Sequence, residues 1–387
     1  MVSSYTGSIF SPQEYQRRLK ATQVAIGERG ADLALIHQPE HIYYLTGFPG
    51  PGAGFGINQV CIVPVDGDPV LVIRRMEEQP MLATSWVKEY AMWSDFETTT
   101  GVLKKEMQRR GFADKTIAVE YDSWALTHAR FNKIKEALSQ ATFVDFSRVL
   151  WYQRQRKSQE EINYLQQAAD ICVKAMKRGI EAIEPGRTER EISNVIQEVF
   201  DDEEADSGNS GLILTSGDNL RFVHAGPSKR PLQKGDIIHI ELSPSIQNYH
   251  SRIMRAVVIG EPTDRQKRVA QVVEEAQSEA IALMRPGAVA RDVDRACREK
   301  IEKAGVRGDW ETPYYNVTGY TLGIIFSPWV SDFSRCFLPN EDWVLEEGSV
   351  YHMYTFAQGI SFSETVHVTA KGPGLLTRAM PRKLSIR

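Results

Sequence analysis

The chain has 387 residues, with 46 lysines and arginines against 50 acidic residues and a formal net charge of −4. This length predicts two domains with sizeable cores, and the small net charge does not favour a protein that binds nucleic acid or anionic membranes. No apolar run is long enough for a transmembrane helix, and the N-terminus lacks the pattern of a secretory signal. The four cysteines form no CxxC pair. This is typical of a reduced protein, so we expect a cytoplasmic location.

The first part of the chain alternates between predicted helices and strands. The segment SPQE at 11–14 is typical of a capped helix start, and this helix is predicted to run to about Arg29. A buried strand is predicted at ADLALIHQ, and further strands at QVCIVPV, PVLVIRR and TIAVEYD, with helices between them. We therefore predict an α/β domain over residues 1–150.

A second domain is predicted over residues 158–387. Its first helix is predicted to begin with a capping box at Ser158. The segments 181–200 and 281–301 resemble each other, and their Pro-Gly pairs are 101 residues apart. This internal repeat predicts two copies of a helix, a turn and a second helix. Chance similarity of two such pieces is the alternative interpretation.

One polar loop and the strand after it stand out as a candidate site. The loop carries His224 and is followed by a turn at Lys234-Gly235-Asp236 and a predicted strand from Ile237 to Leu242. Apolar and polar residues alternate in this strand, which places His239 and Glu241 on one face. A second strand is predicted from about residue 255. A buried carboxylate is costly unless it is paired or functional, so Glu241 is a candidate site residue.

This arrangement resembles the pita-bread superfamily of methionine aminopeptidases, prolidases and creatinase. In that superfamily a histidine precedes a Gly-Asp turn and a strand that carries an acid, and a second acid follows eleven residues later. The resemblance covers roughly residues 11–380. It implies an α/β N-terminal domain plus an α+β C-terminal pita-bread domain, with pseudo-two-fold duplicated helix-pair and β-sheet layers.

Five side chains hold two divalent metals in the peptidases of this superfamily, and most of them have changed here. The matching positions are Glu241, Arg252, Tyr320, Tyr354 and either Ser363 or Glu364. Hard divalent ions need several oxygen or imidazole donors. The resemblance therefore implies a site with no metal and no other cofactor. A single ion held by Glu241, His250 and His224 is the alternative interpretation.

The chain is most similar to a metal-free branch that includes creatinase and ectoine hydrolase. Shared features include YLTG at 44–47, the piece Arg75-Met76-Glu77 and the pair Tyr249-His250. The residues around His224 differ, as do those between Val330 and Asp342. The resemblance implies hydrolysis of a non-peptide carbon–nitrogen bond in a small zwitterionic compound, such as an ectoine-like cyclic amidine or a creatine-like guanidino acid. The alternatives are an Xaa-Pro dipeptidase-like metallopeptidase and a non-catalytic binding protein.

Three residues are predicted to be catalytic. His224 would act as general acid or base, because imidazole titrates near neutral pH, with a surface histidine as the alternative. Glu241 would attack the substrate or activate water with a pKa raised by burial, or it would form an ion pair with Arg252 or Arg255. Glu364 would hold the positive end of the substrate or assist the base, or it would pair with a lysine.

The remaining candidates are predicted to contact the substrate, and they are His250, Arg252, Tyr320, Trp329, His352, Tyr354 and Arg75. Aromatic rings at the former metal positions would attract an amidinium or ammonium group, or they would fill the vacated space. A structural role is the alternative for each histidine. The resemblance also implies a homodimer in which the N-terminal domain reaches the partner's pocket. Arg75 would then clamp a substrate carboxylate, or it would stay solvated at its strand end.

Overall fold

Residues 7–50, 58–206, 211–222, 224–308, 316–326, 331 and 333–387 are described by the structure, a computed structural model. The chain divides into two units between Arg154 and Gln155, and Phe326 groups with the first unit. Each unit has a hydrophobic core of its own. Within the described ranges, no helix is both long enough and apolar enough to cross a membrane.

A mixed six-stranded sheet forms the centre of the first unit. Its strands are β1 (Leu33–Ile36), β2 (Val60–Pro64), β3 (Val70–Arg74), β4 (Glu89–Trp93), β5 (Thr116–Val119) and β6 (Thr142–Asp145), in the order β4-β3-β2-β1-β5-β6. Strand β1 runs parallel to β5 and antiparallel to β2. Every residue of β1 and β2 is buried, as expected for strands that are covered on both faces.

The described helices of this unit are α1 (Pro12–Glu28), α2 (Pro39–Thr46), α3 (Glu78–Thr84), α4 (Thr99–Arg109), α5 (His128–Ala137) and α6 (Val149–Gln153). Helix α1 begins where the sequence predicts, because the Ser11 side chain accepts a hydrogen bond from the backbone amide of Glu14. It ends one residue before the predicted Arg29.

The second unit contains two copies of a helix pair, as the internal repeat predicts. The first copy is α7 (Gln159–Glu181) with α8 (Glu189–Asp202), and the second is α9 (Asp264–Leu283) with α10 (Ala290–Ala304). Gly186 and Gly287 in the two Pro-Gly turns have φ angles of 89° and 84°, which glycine adopts at little cost. Their amides donate to the carbonyls of Leu232 and Leu345 at 2.8 and 2.9 Å. The two copies therefore share their turn geometry and their anchoring hydrogen bonds.

Each helix pair is followed by strands of a four-stranded sheet. The first sheet has the order β16-β11-β8-β7, with β7 (Gly211–Ser216), β8 (Ile237–Ser243), β11 (Ile253–Val258) and β16 (Ser385–Ile386). A hairpin of β9 (Ser245–Ile246) and β10 (Tyr249–His250) connects β8 to β11. The second sheet has the order β12-β13-β14-β15, with β12 (Gly319–Thr321), β13 (Val350–Ala357), β14 (Ile360–Thr369) and β15 (Gly372–Leu375).

Strand β8 has the two faces that its alternation predicts. Ile238, Ile240 and Leu242 lie in a core that includes residues of α7 and α8. His239 and Glu241 face away from that core. Strand β11 begins at residue 253, two residues before its predicted start, because the antiparallel pairing with β8 already includes that residue.

Candidate functional site

A cavity of about 430 Å³ lies in the second unit and is lined from both four-stranded sheets. Its volume suits a small molecule. The polar side chains that line it are Thr215, His224, His239, Glu241, Arg252, Asn316, Tyr320, Tyr354 and Ser361. Apolar lining comes from Leu220, Met254, Phe333 and Phe356. The fold thus brings together five of the predicted site residues, namely His224, Glu241, Arg252, Tyr320 and Tyr354.

Glu241 and Arg252 form a buried ion pair in this cavity, in which Nε of Arg252 donates to Oε1 of Glu241. The tight hairpin between β8 and β11 returns the chain so that Arg252 meets Glu241. Burial by itself raises the pKa of Glu241, but the charge of Arg252 and the nearby imidazole of His239 lower it below the usual 4.5. Glu241 is therefore an ionised carboxylate, and its pKa is not raised as the sequence analysis expected.

Two tyrosines stand at positions where the resemblance implies metal ligands. The rings of Tyr320 and Tyr354 are buried, with centroids 5.9 Å apart. The guanidinium carbon of Arg252 lies 5.7 Å from the centroid of Tyr320, within cation–π range. Burial raises the pKa of Tyr354 to about 12, so its hydroxyl is protonated at neutral pH. The guanidinium of Arg252 thus contacts the aromatic face that was predicted to bind a cationic substrate.

His352 lies behind these rings and is not among the described cavity-lining residues. Its ring is fully buried and stacks on Tyr354 with centroids 5.2 Å apart. Neither ring nitrogen has a hydrogen-bond partner within the described ranges. Burial lowers the pKa of His352 to about 3, and the charge of Arg252 adds to this effect. His352 therefore supports Tyr354 as a neutral ring and makes no direct contact with the cavity.

Two histidines line the cavity. His224 is solvent-exposed and follows a 3-10 turn at Gly217–Arg221. His239 lies on β8, with Nδ1 2.6 Å from Oγ of Ser361 and Nε2 3.7 Å from Oε2 of Glu241. Ser361 is not among the site residues predicted from the sequence. The alternation in ISFSETV, which places Ser361 on the same face as the following serine, is the signal that points to it.

Glu189, the first residue of α8, holds the loop that carries His224. Its carboxylate accepts hydrogen bonds from the backbone amides and hydroxyls of Ser216 and Ser228 at 2.6 to 2.9 Å. Asn219 donates to it at 3.2 Å. Burial raises the pKa of Glu189, but these hydrogen bonds lower it overall. One ionised carboxylate therefore holds both ends of the loop through hydrogen bonds.

Replacing Glu189 by Ala is expected to release this loop. Hydrogen bonds to a charged group contribute about 1.5–3 kcal/mol each, and several are lost together. The amides of Ser216 and Ser228 should therefore exchange with solvent at least about tenfold faster, which hydrogen-exchange mass spectrometry measures. The matched control is Glu191→Ala, which removes an exposed capping carboxylate from the same helix. Equal exchange in the two variants would contradict the assignment.

Glu364 lies outside the cavity, on the face of β14 opposite to Ser363. Ser363 is paired across strands with Tyr354 of the cavity, and a shift of one residue reverses the face of a strand. The buried carboxylate of Glu364 accepts a hydrogen bond from Nη2 of Arg255 at 2.7 Å. This placement differs from the predicted catalytic role, because it makes Glu364 the ion-pair partner of a buried arginine.

Of three further residues predicted to contact the substrate, two lie away from the cavity and one lies outside the described residues. His250 is buried in β10, with Nδ1 and Nε2 each 3.3 Å from a backbone carbonyl oxygen, those of Ser243 and Ile325. Burial lowers its pKa to about 4, so its ring is neutral at pH 7. This environment is typical of a structural histidine. Arg75 is exposed in a 3-10 turn of the first unit. Trp329 lies outside the described residues.

The donors at the matched metal positions do not fit a pair of divalent ions. Glu241 contributes one carboxylate, and Arg252 already balances its charge. The other positions hold the hydroxyl groups of two tyrosines and a serine. Across the described ranges, no three His, Cys, Asp or Glu side chains are grouped so that they could hold a metal. Because a fixed guanidinium repels a cation beside it, we assign no catalytic step to a metal.

Comparison with known proteins agrees with this architecture. The chain is 25% identical over 365 residues to an Xaa-Pro dipeptidase of Pyrococcus furiosus, covering 94% of this chain and 98% of that protein. It is 23% identical over 401 residues to an ectoine hydrolase of Halomonas elongata, covering 98% of each. The crystal structure of a prolidase from Thermococcus sibiricus matches with a TM-score of 0.83 at 27% identity, covering 97% of this chain and 100% of that one. Dipeptidase PepE from Mycobacterium ulcerans matches with a TM-score of 0.83 at 23% identity, covering 97% and 99%.

These likenesses confirm the predicted two-domain pita-bread fold. Two family models also match the chain. The creatinase/prolidase N-terminal domain matches residues 18–156, and metallopeptidase family M24 matches residues 163–370, which is more than half of the chain. The chain therefore belongs to metallopeptidase family M24, a family of hydrolases.

Proposed function

We propose that this M24-family protein hydrolyses a non-peptide carbon–nitrogen bond in a small zwitterionic compound without a metal ion. An ectoine-like cyclic amidine or a creatine-like guanidino acid fits this description. The observation that carries the proposal is the ion pair of Arg252 and Glu241, which places a guanidinium at a matched metal position. Full-length similarity to the ectoine hydrolase of Halomonas elongata supports the same substrate class.

In the proposed chemistry, one residue transfers protons and others stabilise charge on the substrate. His224 protonates the departing nitrogen, because it lines the cavity and imidazole exchanges protons near neutral pH. Glu241 stays ionised, so it orients water or the positive end of the substrate and does not donate a proton. Arg252 and the protonated Tyr354 hydroxyl stabilise negative charge that develops on the substrate.

A metal-dependent Xaa-Pro dipeptidase is the second candidate. The full-length similarity to the Pyrococcus furiosus Xaa-Pro dipeptidase favours it. The set of donors at the site opposes it, since one carboxylate paired with an arginine leaves too few ligands for two hard cations.

A thermal-shift screen of chelator-treated protein tests the proposal. The compounds are ectoine, hydroxyectoine, creatine, other guanidino acids and Xaa-Pro dipeptides, since a ligand that binds only the folded state raises Tm. We expect a zwitterion to stabilise the metal-free protein, and mass spectrometry should detect its hydrolysis. Stabilisation by a divalent metal or a dipeptide alone would favour the dipeptidase. Binding without turnover would indicate a non-catalytic binding protein.

A His224→Ala variant is expected to lose most of the hydrolytic activity on that zwitterion. Removing a general acid or base lowers kcat by about 10²–10⁴-fold, whereas Tm should change little because the side chain is exposed. Steady-state kinetics and thermal melting measure the two effects. The matched control is His128→Ala, an exposed histidine of the first unit. A His224→Ala variant with wild-type kcat would refute the assigned role.

A further inference from the structure

The cavity contains a serine, a histidine and a carboxylate side by side, with the imidazole between the other two. Ser361 on β14 and His239 on β8 belong to different sheets, and they meet with Oγ 2.6 Å from Nδ1. On the other side of the imidazole, Nε2 lies 3.7 Å from Oε2 of Glu241. All three side chains line the same cavity.

The charge of Glu241 decides which nitrogen of His239 carries the proton. An ionised carboxylate facing Nε2 favours the tautomer with its proton on Nε2. Within the described ranges, this nitrogen has no hydrogen-bond partner. Nδ1 is then the acceptor, and Oγ of Ser361 donates to it. The distance of 3.7 Å is longer than a hydrogen bond, but such contacts often shorten when substrate binds.

We propose that Ser361 is a covalent nucleophile, with His239 as its general base and Glu241 as the group that orients the base. This inference rests on the proposed function, because it names the nucleophile of the same site. Nucleophile, base and orienting carboxylate within hydrogen-bond reach of one another are the general signature of such a group. Arg252 anchors the far side of the carboxylate, so Glu241 is held towards His239.

The two half-reactions balance with the groups present. In the first, Oγ of Ser361 bonds to the amidine or guanidine carbon, and its proton passes to Nδ1 of His239. The carbon–nitrogen bond breaks as protonated His224 gives its proton to the departing nitrogen, which leaves as an amine, and an imidate (from an amidine) or an isourea (from a guanidine) remains on Ser361. In the second, His224 takes a proton from water as the water oxygen attacks the same carbon, and the bond to Oγ breaks as His239 returns its proton to Oγ. This step releases an amide or a urea and restores both histidines and the serine.

Labelling with a small alkyl fluorophosphonate tests this without knowledge of the natural substrate. The probe loses fluoride as Oγ bonds to phosphorus, and peptide mass spectrometry locates the adduct. We expect one adduct on Ser361 of the folded protein, none on Ser361→Ala, and labelling about 100-fold slower on His239→Gln. The matched control is Ser363→Ala, on the same face of β14 but not among the described cavity residues; it should label like wild type. Melting curves verify that each variant is folded.

Different results would overturn the assignment of Ser361 as nucleophile and the proposed function. The assignment of Ser361 as nucleophile is overturned if the folded wild-type protein forms no adduct. It is also overturned if labelling of Ser361 does not depend on His239. Wild-type hydrolysis of a zwitterion by Ser361→Ala also overturns it, and leaves the proposed function standing. Specific labelling of Ser361 in a protein that hydrolyses none of the zwitterions overturns the proposed substrate class and leaves the nucleophile standing.

Discussion

Replacing Arg252 by Met is expected to lower the free energy of unfolding by about 3–5 kcal/mol at pH 7. The substitution leaves the carboxylate of Glu241 buried without its cation, and an unpaired buried charge is among the most destabilising changes a protein can undergo. Chemical denaturation monitored by fluorescence measures the difference. The size of the loss reports how strongly this guanidinium stabilises the ionised site.

The pH dependence of this variant should have the opposite sign to that of the wild-type protein. In the wild type, the pKa of Glu241 is lowered below 4.5 by Arg252. Its stabilisation is therefore present above the unfolded pKa and is lost as the pH falls. In Arg252→Met, burial dominates and raises the pKa of Glu241, so the variant loses stability as the pH rises. The difference between the two proteins should shrink as the pH falls from 7 towards 4.

The control is the double variant Glu241→Gln with Arg252→Met. It removes both charges, so it should be more stable than Arg252→Met alone. An equal loss in the single and double variants would show that the two side chains are not coupled, and a pH-independent difference would show that Glu241 is not ionised.

The second large effect is expected from Glu364→Gln. Arg255 is fully buried, and its ion-pair partner is Glu364 at 2.7 Å. Loss of the negative charge leaves this guanidinium without its counter-charge, and we expect a loss of about 3–5 kcal/mol in the free energy of unfolding. Because Glu364 is not among the described cavity residues, the hydrolytic rate per folded molecule should be unchanged.

The control for Glu364 is Glu261→Gln, which breaks the exposed pair with Lys267. Exposed ion pairs contribute little, so this control should have no measurable effect on stability. A Glu364→Gln variant with wild-type stability and strongly reduced kcat would restore the catalytic role that the sequence analysis predicted for Glu364.

Local sequence patterns determined much of the fold. The helix that begins after Ser158 does have a capping box, in which Ser158 and Glu161 exchange hydrogen bonds. The alternation in β8 places His239 and Glu241 on one face. These features were predictable because a helix cap and a strand face depend on residues only a few positions apart. The resemblance to the pita-bread superfamily also implied that most of the carboxylates at the metal positions have been replaced.

Only the tertiary structure decided which side chains meet at the site. His239 and Ser361 are 122 residues apart, so no local pattern joins them. Whether Ser363 or Glu364 faces the cavity depends on the pairing of β14 with β13, and a shift of one residue reverses the answer. The pKa of Glu241 depends on burial and on Arg252, which act in opposite directions. The sequence by itself therefore determined the family and the residue types of the site, and the packing of the two sheets decided which of those residues share a cavity and which are ionised.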